Sequence, residues 1–107
     1  MGNIATWLKR AEETNGELIT HIVIGKHDDD CYDENDRRPE HARDRVLDRE
    51  TGLAILDVEY DNGFGGADCF PMYAWSPNWV FSVSEYEGST GLSQFPRHPV
   101  DCSPEFD

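Results

Sequence analysis

Residues 70–86 read FPMYAWSPNWVFSVSEY, and the fold turns on how this stretch is read. Trp79, Phe81 and Val83 alternate with Val80, Ser82 and Ser84, a period of two that gives one apolar and one polar face. Residues 70–75 form a second apolar run, and Ser76-Pro77-Asn78 between the two runs is a turn former. The spacing predicts two antiparallel strands, the later one at or beside a sheet edge. Trp75, Trp79, Tyr73 and Phe81 are assigned to the core, because large rings bury the most area in a small sheet.

Downstream, Gly88-Ser89-Thr90-Gly91 turns the chain, residues 92–95 suit a last short strand, and residues 97–107 are expected to be an irregular tail. Upstream, Asp61-Asn62-Gly63 is a turn signal prolonged by Phe64-Gly65-Gly66. Residues 53–60 (LAILDVEY) follow a break at Glu50-Thr51-Gly52; so short an apolar run fits a helix end or a strand, and a strand is expected for its second half. Pro39 is placed to open a helix over residues 41–47 whose outer face carries charges of both signs. Residues 27–40 (HDDDCYDENDRRPE) hold seven acids and almost nothing apolar, which predicts a solvated acidic loop.

Residues 17–26 (ELITHIVIGK) are rich in β-branched side chains and predict a central strand covered on both faces. Ile4, Trp7, Leu8 and Ala11 recur at helical spacing, giving a helix over residues 4–14 with Asn3 as N-cap and Asn15-Gly16 as the stop. Together these elements predict a single α+β domain over residues 1–107: an amphipathic N-terminal helix on a small, mostly antiparallel sheet of four or five strands.

Charge narrows the function. Twenty-two Asp and Glu against nine Lys and Arg leave a formal net charge of −13. From Thr51 to Pro96 there is no Lys or Arg at all, while Asp57, Glu59, Asp61, Asp68, Glu85 and Glu87 are interleaved with aromatic residues. Such a balance repels nucleic acid and anionic membrane, and it favours a basic protein surface as partner. The candidate contacts are Asp28, Asp29, Asp30, Asp33, Glu34 and Asp36 in the acidic loop, those six acids of the later segment, and Tyr60 and Tyr86 beside them. Tyrosine among carboxylates grips Arg and Lys through hydrogen bonds and ring stacking.

Other chemistry fits less well. The loop acids lack the phase, central Gly and terminal Glu of an EF-hand. His27 with Cys31, and His98 with Cys102, share a His-x-x-x-Cys spacing with Cys69 between them, which could close a zinc site only if the fold joined the two ends. Three cysteines do not complete a disulfide framework, and nearby acids would raise a thiol pKa rather than lower it. No metal, cofactor or catalytic residue is expected. With no long apolar stretch, a cytoplasmic location is expected.

The run Asp57-Val58-Glu59-Tyr60-Asp61-Asn62-Gly63-Phe64-Gly65-Gly66-Ala67-Asp68-Cys69, with Tyr73-Ala74-Trp75, Tyr86-Glu87-Gly88-Ser89-Thr90 and Pro96-Arg97-His98-Pro99, resembles a segment of small proteins of phages and mobile elements. The resemblance covers about the C-terminal half. Within that setting the small acidic chain is similar in type to anti-CRISPR and other anti-defence inhibitors, some of which mimic the charge of DNA. The resemblance implies a non-enzymatic inhibitor that acts in the host cytoplasm and occupies a basic, nucleic-acid-binding surface of a host protein. The alternatives are an immunity protein or antitoxin that neutralises a basic nuclease, and a small metal-binding protein or enzyme built on the His and Cys pairs.

Overall fold

The computed structural model describes residues 2–26, 36, 38–59, 69–86 and 89–104, apart from the side chains of residues 85, 86 and 89. Helix α1 (Ile4–Asn15) begins where Asn3 turns extended and its Oδ1 accepts the Thr6 N–H at 3.0 Å. It ends at Gly16, which adopts φ 71° and donates its N–H to the Glu12 carbonyl at 2.9 Å. That left-handed cap costs glycine nothing and is what the sequence stop anticipated.

The chain continues through β1 (His21–Ile24), a 3-10 turn (Glu40–Ala42), β2 (Leu47–Asp48), α2 (Arg49–Leu56), β3 (Met72–Trp75), β4 (Trp79–Tyr86) and β5 (Ser89–Pro96). The five strands form one sheet in the order β2-β1-β3-β4-β5, and every neighbouring pair is antiparallel. The α+β class and the helix-on-sheet architecture match the sequence reading.

Four elements differ in detail. The first strand is limited to β1 and is buried on one face; before it, the Ile19 N–H donates to the Glu12 carboxylate, and the Glu17 carboxylate accepts from the Ser76 hydroxyl and from the Asn78 N–H and Nδ2. The helix expected over residues 41–47 is a single 3-10 turn. Asp44 takes φ 55° and Val46 points to solvent, so no inward apolar stripe exists to hold a longer helix. Residues 53–56 belong to α2, one of the two readings open for them, and the strand expected in the second half of residues 53–60 is absent from residues 57–59, which follow without regular structure. The last strand is eight residues long, paired with β4 from Tyr86↔Ser89 to Trp79↔Pro96.

Gly52 explains the α2 misreading. It is buried inside the helix, and a Cβ built there would lie 2.7 Å from both Cβ and Cδ1 of Ile22. It is the point where α2 comes down onto β1, not a helix break.

Both helices cover the same face of the sheet. Ile4, Ala5 and Leu8 of α1 and Leu53 and Leu56 of α2 meet Ile22, Ile24, Met72, Ala74 and Phe81, all buried. The register puts Ile22, Ala74, Phe81 and Gln94 in one transverse row on that face, and Gln94 exchanges hydrogen bonds with Asn15 of α1 at 3.1 Å. The loop segment that reads as solvated is in part docked: Arg38 is 5% exposed and donates to the Ile24 carbonyl at 2.9 Å.

Candidate binding surface

Of the acids and tyrosines expected to contact a partner, Asp36, Asp57 and Glu59 are described with their side chains. Asp28, Asp29, Asp30, Asp33, Glu34, Tyr60, Asp61, Asp68 and Glu87 lie outside the described residues, as do the side chains of Glu85 and Tyr86 on β4.

Asp57 and Glu59 are brought together. Both leave the end of α2 exposed, and the Nδ2 of Asn3 donates to Asp57 Oδ1 at 3.0 Å and to Glu59 Oε1 at 3.4 Å. One amide thus caps α1 with its oxygen and gathers two carboxylates with its nitrogen, beside the positive end of the helix dipole. No described Lys or Arg pairs with either acid.

Asp36 stands differently. Its carboxylate is nearly buried, accepts two bonds from Arg38 Nε and one from Arg38 Nη2, and lies 3.6 Å from Arg43 Nε. The hydrogen-bonded Arg38 guanidinium holds the Asp36 carboxyl well below the usual carboxylate range, and burial opposes this only in part. Arg38 is raised in turn, first by Asp36 and then by Asp44. The charge of Asp36 is answered within the chain.

A second internal pair went unread in the sequence. Glu12 is 7% exposed; its carboxylate accepts from Arg49 Nε at 2.7 Å, from Arg49 Nη2 at 2.8 Å and from the Ile19 N–H at 2.8 Å. The Arg49 fork lowers the Glu12 pKa, and Glu12 raises that of Arg49. Its position in α1 carries a signal: Glu12 follows Ile4 and Leu8 at helical spacing, on the inward stripe.

These pairs use up Arg38, Arg43 and Arg49, and Arg97 donates to the Ser76 carbonyl at 3.0 Å. Glu13, Glu40, Asp57, Glu59 and Asp101 remain exposed without a described salt bridge, against Lys9, Arg10 and Arg45 among the described cations, while Glu50 is near enough to Arg49 to raise its pKa. The internal accounting therefore leaves the surface acidic.

The face of the sheet turned away from the helices is of another kind. His21, Trp75, Val80 and Phe95 form one transverse row across β1, β3, β4 and β5, with Val23, Tyr73 and Ser82 in the next. Tyr73 and Trp75 are therefore not core residues: Met72 and Ala74 point inward, Trp75 is half-buried on the outer face and Tyr73 is 59% exposed. Their rings meet edge-on, with centroids 6.2 Å apart. Of the four aromatics assigned to the core, Phe81 is buried and Trp79 packs against it partly buried. Residues 69–84 contain no charged side chain, and neither does β5. That neutrality inside a chain of net charge −13 is the sequence signal for this face.

Cys69 is buried and Cys102 exposed, and among the described residues no three His, Cys, Asp or Glu side chains gather as a metal site. His27 and Cys31 lie outside the described residues. No described helix is long and apolar enough to cross a membrane. No family model, curated protein or solved structure matches this chain.

Proposed function

We propose that the chain is a non-catalytic acidic inhibitor that covers a basic, nucleic-acid-binding surface of a larger protein. The observation that carries this reading is the distribution of charge: four of the six described arginines are held by internal partners, while acids such as Asp57 and Glu59 stay exposed and unpaired by Lys or Arg.

Physically, the inhibitor acts by competition. Exposed carboxylates stand where phosphates would, steer the encounter with a cationic groove, and pair with its Arg and Lys side chains. Asp57 and Glu59 are gathered by Asn3 before any partner arrives, so ordering them costs less on binding. In this reading the protein belongs with phage-encoded inhibitors of anti-CRISPR or wider anti-defence type and works in the host cytoplasm.

The test is capture and competition. The full chain, immobilised, is exposed to bacterial lysate at low salt with and without added duplex DNA. The expected catch is basic nucleic-acid-binding protein, released by salt and kept off by the DNA. Retained proteins that ignore the DNA, or a lysate from which nothing basic is held at low salt, would overturn the reading.

A further inference from the structure

The sheet face turned away from the helices contrasts with the rest of the molecule: Ser93, at its β5 end, is buried, but its aromatic centre is exposed. It presents Tyr73 at 59% exposure, Phe95 at 41%, and Trp75, Val80 and Val23 half-buried, with no charged residue in β3, in β5 or in β4 before Glu85. With neighbouring strands about 4.8 Å apart, the row from His21 to Phe95 spans about 14 Å, wide enough for the centre of a protein contact but short of a whole one. Interface centres are depleted in charge and enriched in Tyr, Trp and Phe, with a polar or charged rim around them.

The rim on one side is acidic. Asp48 stands directly across from His21 in the register and so extends the first row at the β2 edge; its carboxyl is held below the usual range by the Thr51 N–H. Asp44 lines a groove of about 420 Å³ together with Val23, Gly25, Pro71, Tyr73 and Ser82. Its carboxylate is exposed and contacts Arg38 Nη1 through Oδ1. The first row thus runs from a carboxylate onto aromatic and apolar side chains, and Asp44 borders the groove beside Tyr73. Arginine suits that pattern best: its planar guanidinium stacks on a ring face, its stem covers apolar surface, and its fork reaches a neighbouring carboxylate. A second copy of the chain suits it poorly, because each copy brings a net charge of −13.

We propose that this face, centred on Tyr73, Trp75 and Phe95 and bordered by Asp44 and Asp48, is the docking surface, and that its occupant is an arginine-bearing segment of the basic partner. The inference rests on the reading of the chain as an acidic protein that binds a basic surface, and it locates that contact on the neutral face rather than on Asp57 and Glu59. In this arrangement the acids bring the partner in, and the rings hold it.

The experiment titrates the full chain with an arginine-rich peptide and with its lysine counterpart, following backbone amide shifts by NMR. The arginine peptide is expected to move His21, Tyr73, Trp75, Val80 and Phe95, and to bind several-fold tighter than the lysine peptide. Tyr73→Ser with Trp75→Ser is expected to weaken binding roughly tenfold or more. Phe95→Ser, at the margin of the sheet, serves as a second variant and is expected to weaken it less, with circular dichroism confirming the fold of each. Equal binding of the two peptides, or shifts centred on Asp57 and Glu59 with the double variant unaffected, overturns the placement and leaves the basic-partner reading standing. Absence of any binding at low salt overturns both. A wild-type dimer in sedimentation that Tyr73→Ser makes monomeric identifies the face as a self-contact, and that also overturns the proposal.

Discussion

Replacing Gly52 by alanine sets two effects of known sign against each other. Alanine inside a helix is favoured over glycine by about 1 kcal/mol, so a solvent-facing Gly52 would gain stability from the change. The new methyl, however, would lie 2.7 Å from Ile22 Cβ, 2.7 Å from its Cδ1 and 3.1 Å from its Cγ1. Carbon atoms rest at about 3.5–4.0 Å, so the overlap is close to 1 Å. Rotation of the Ile22 side chain relieves the Cγ1 and Cδ1 contacts but not the Cβ contact, which is fixed to the β1 backbone. Forcing an extra methyl into a packed core costs about 1–3 kcal/mol, and the immobile Cβ puts this site in the upper part of that range. After the helical gain, a net loss of about 1–2 kcal/mol remains, or a fall in melting temperature of about 5–10 °C for a chain of this size. Thermal and urea unfolding followed by circular dichroism measures it. Ile22→Val, which removes Cδ1, is expected to cost less in the Gly52→Ala background than in the wild type. A Gly52→Ala protein as stable as the wild type, or more so, refutes the close approach of α2 to β1.

The remaining predictions concern charge. Glu12→Gln keeps the shape but loses the charged fork with Arg49, and is expected to lower stability by about 1–3 kcal/mol at neutral pH in urea titrations. Because the folded pKa of Glu12 is depressed, its contribution is complete above the ordinary glutamate range and is lost as pH falls through the lower folded value. The gap between wild type and Glu12→Gln should therefore close in acid, and a gap that is constant with pH counts against the Arg49 pairing. Arg38→Lys retains the charge but cannot serve Asp36, Asp44 and the Ile24 carbonyl together, so a loss of about 1–3 kcal/mol is expected in urea unfolding. Reversal of Asp57, Glu59 and Asp61 to lysine should weaken capture of the basic partner and flatten its salt dependence while leaving the circular dichroism spectrum unchanged; unchanged affinity with an unchanged, weak salt dependence defeats the charge-based mechanism.

Local chemistry made α1 legible in advance: four apolar residues on one stripe, an Asn to open it and an Asn-Gly pair to close it. The β3–β4 pair was legible for the same reason, since the polar serines of β4 mark its outer face. Where both alternating sets are apolar, the pattern goes silent. In Met72-Tyr73-Ala74-Trp75 either pair could be the buried one, and size favours the wrong choice; the small Ala74 faces inward in the row with Ile22 and Phe81. Gly52 misled because a glycine that ends a helix and one that lets a helix approach a strand look alike in sequence. The acids were visible as an excess, but which were internally matched depended on contacts across the chain, as between Glu12 and Arg49 or within the Asp36–Arg38 pair. The neutral outer face was written in residues 69–84 as missing charge, a signal easily overlooked beside so many carboxylates.

The hold of Arg38 on the Ile24 carbonyl has a consequence for how the protein can change. The chain that departs at the end of β1 is fastened again at the same spot, so whatever connects the two points has its ends set by the framework and not by its own composition. Doubling the length of such a connection adds only about 0.6 kcal/mol of closure entropy. The joint behaves as a clasp: the framework around Ile24 and Arg38 keeps its own contacts when the length between the two points changes.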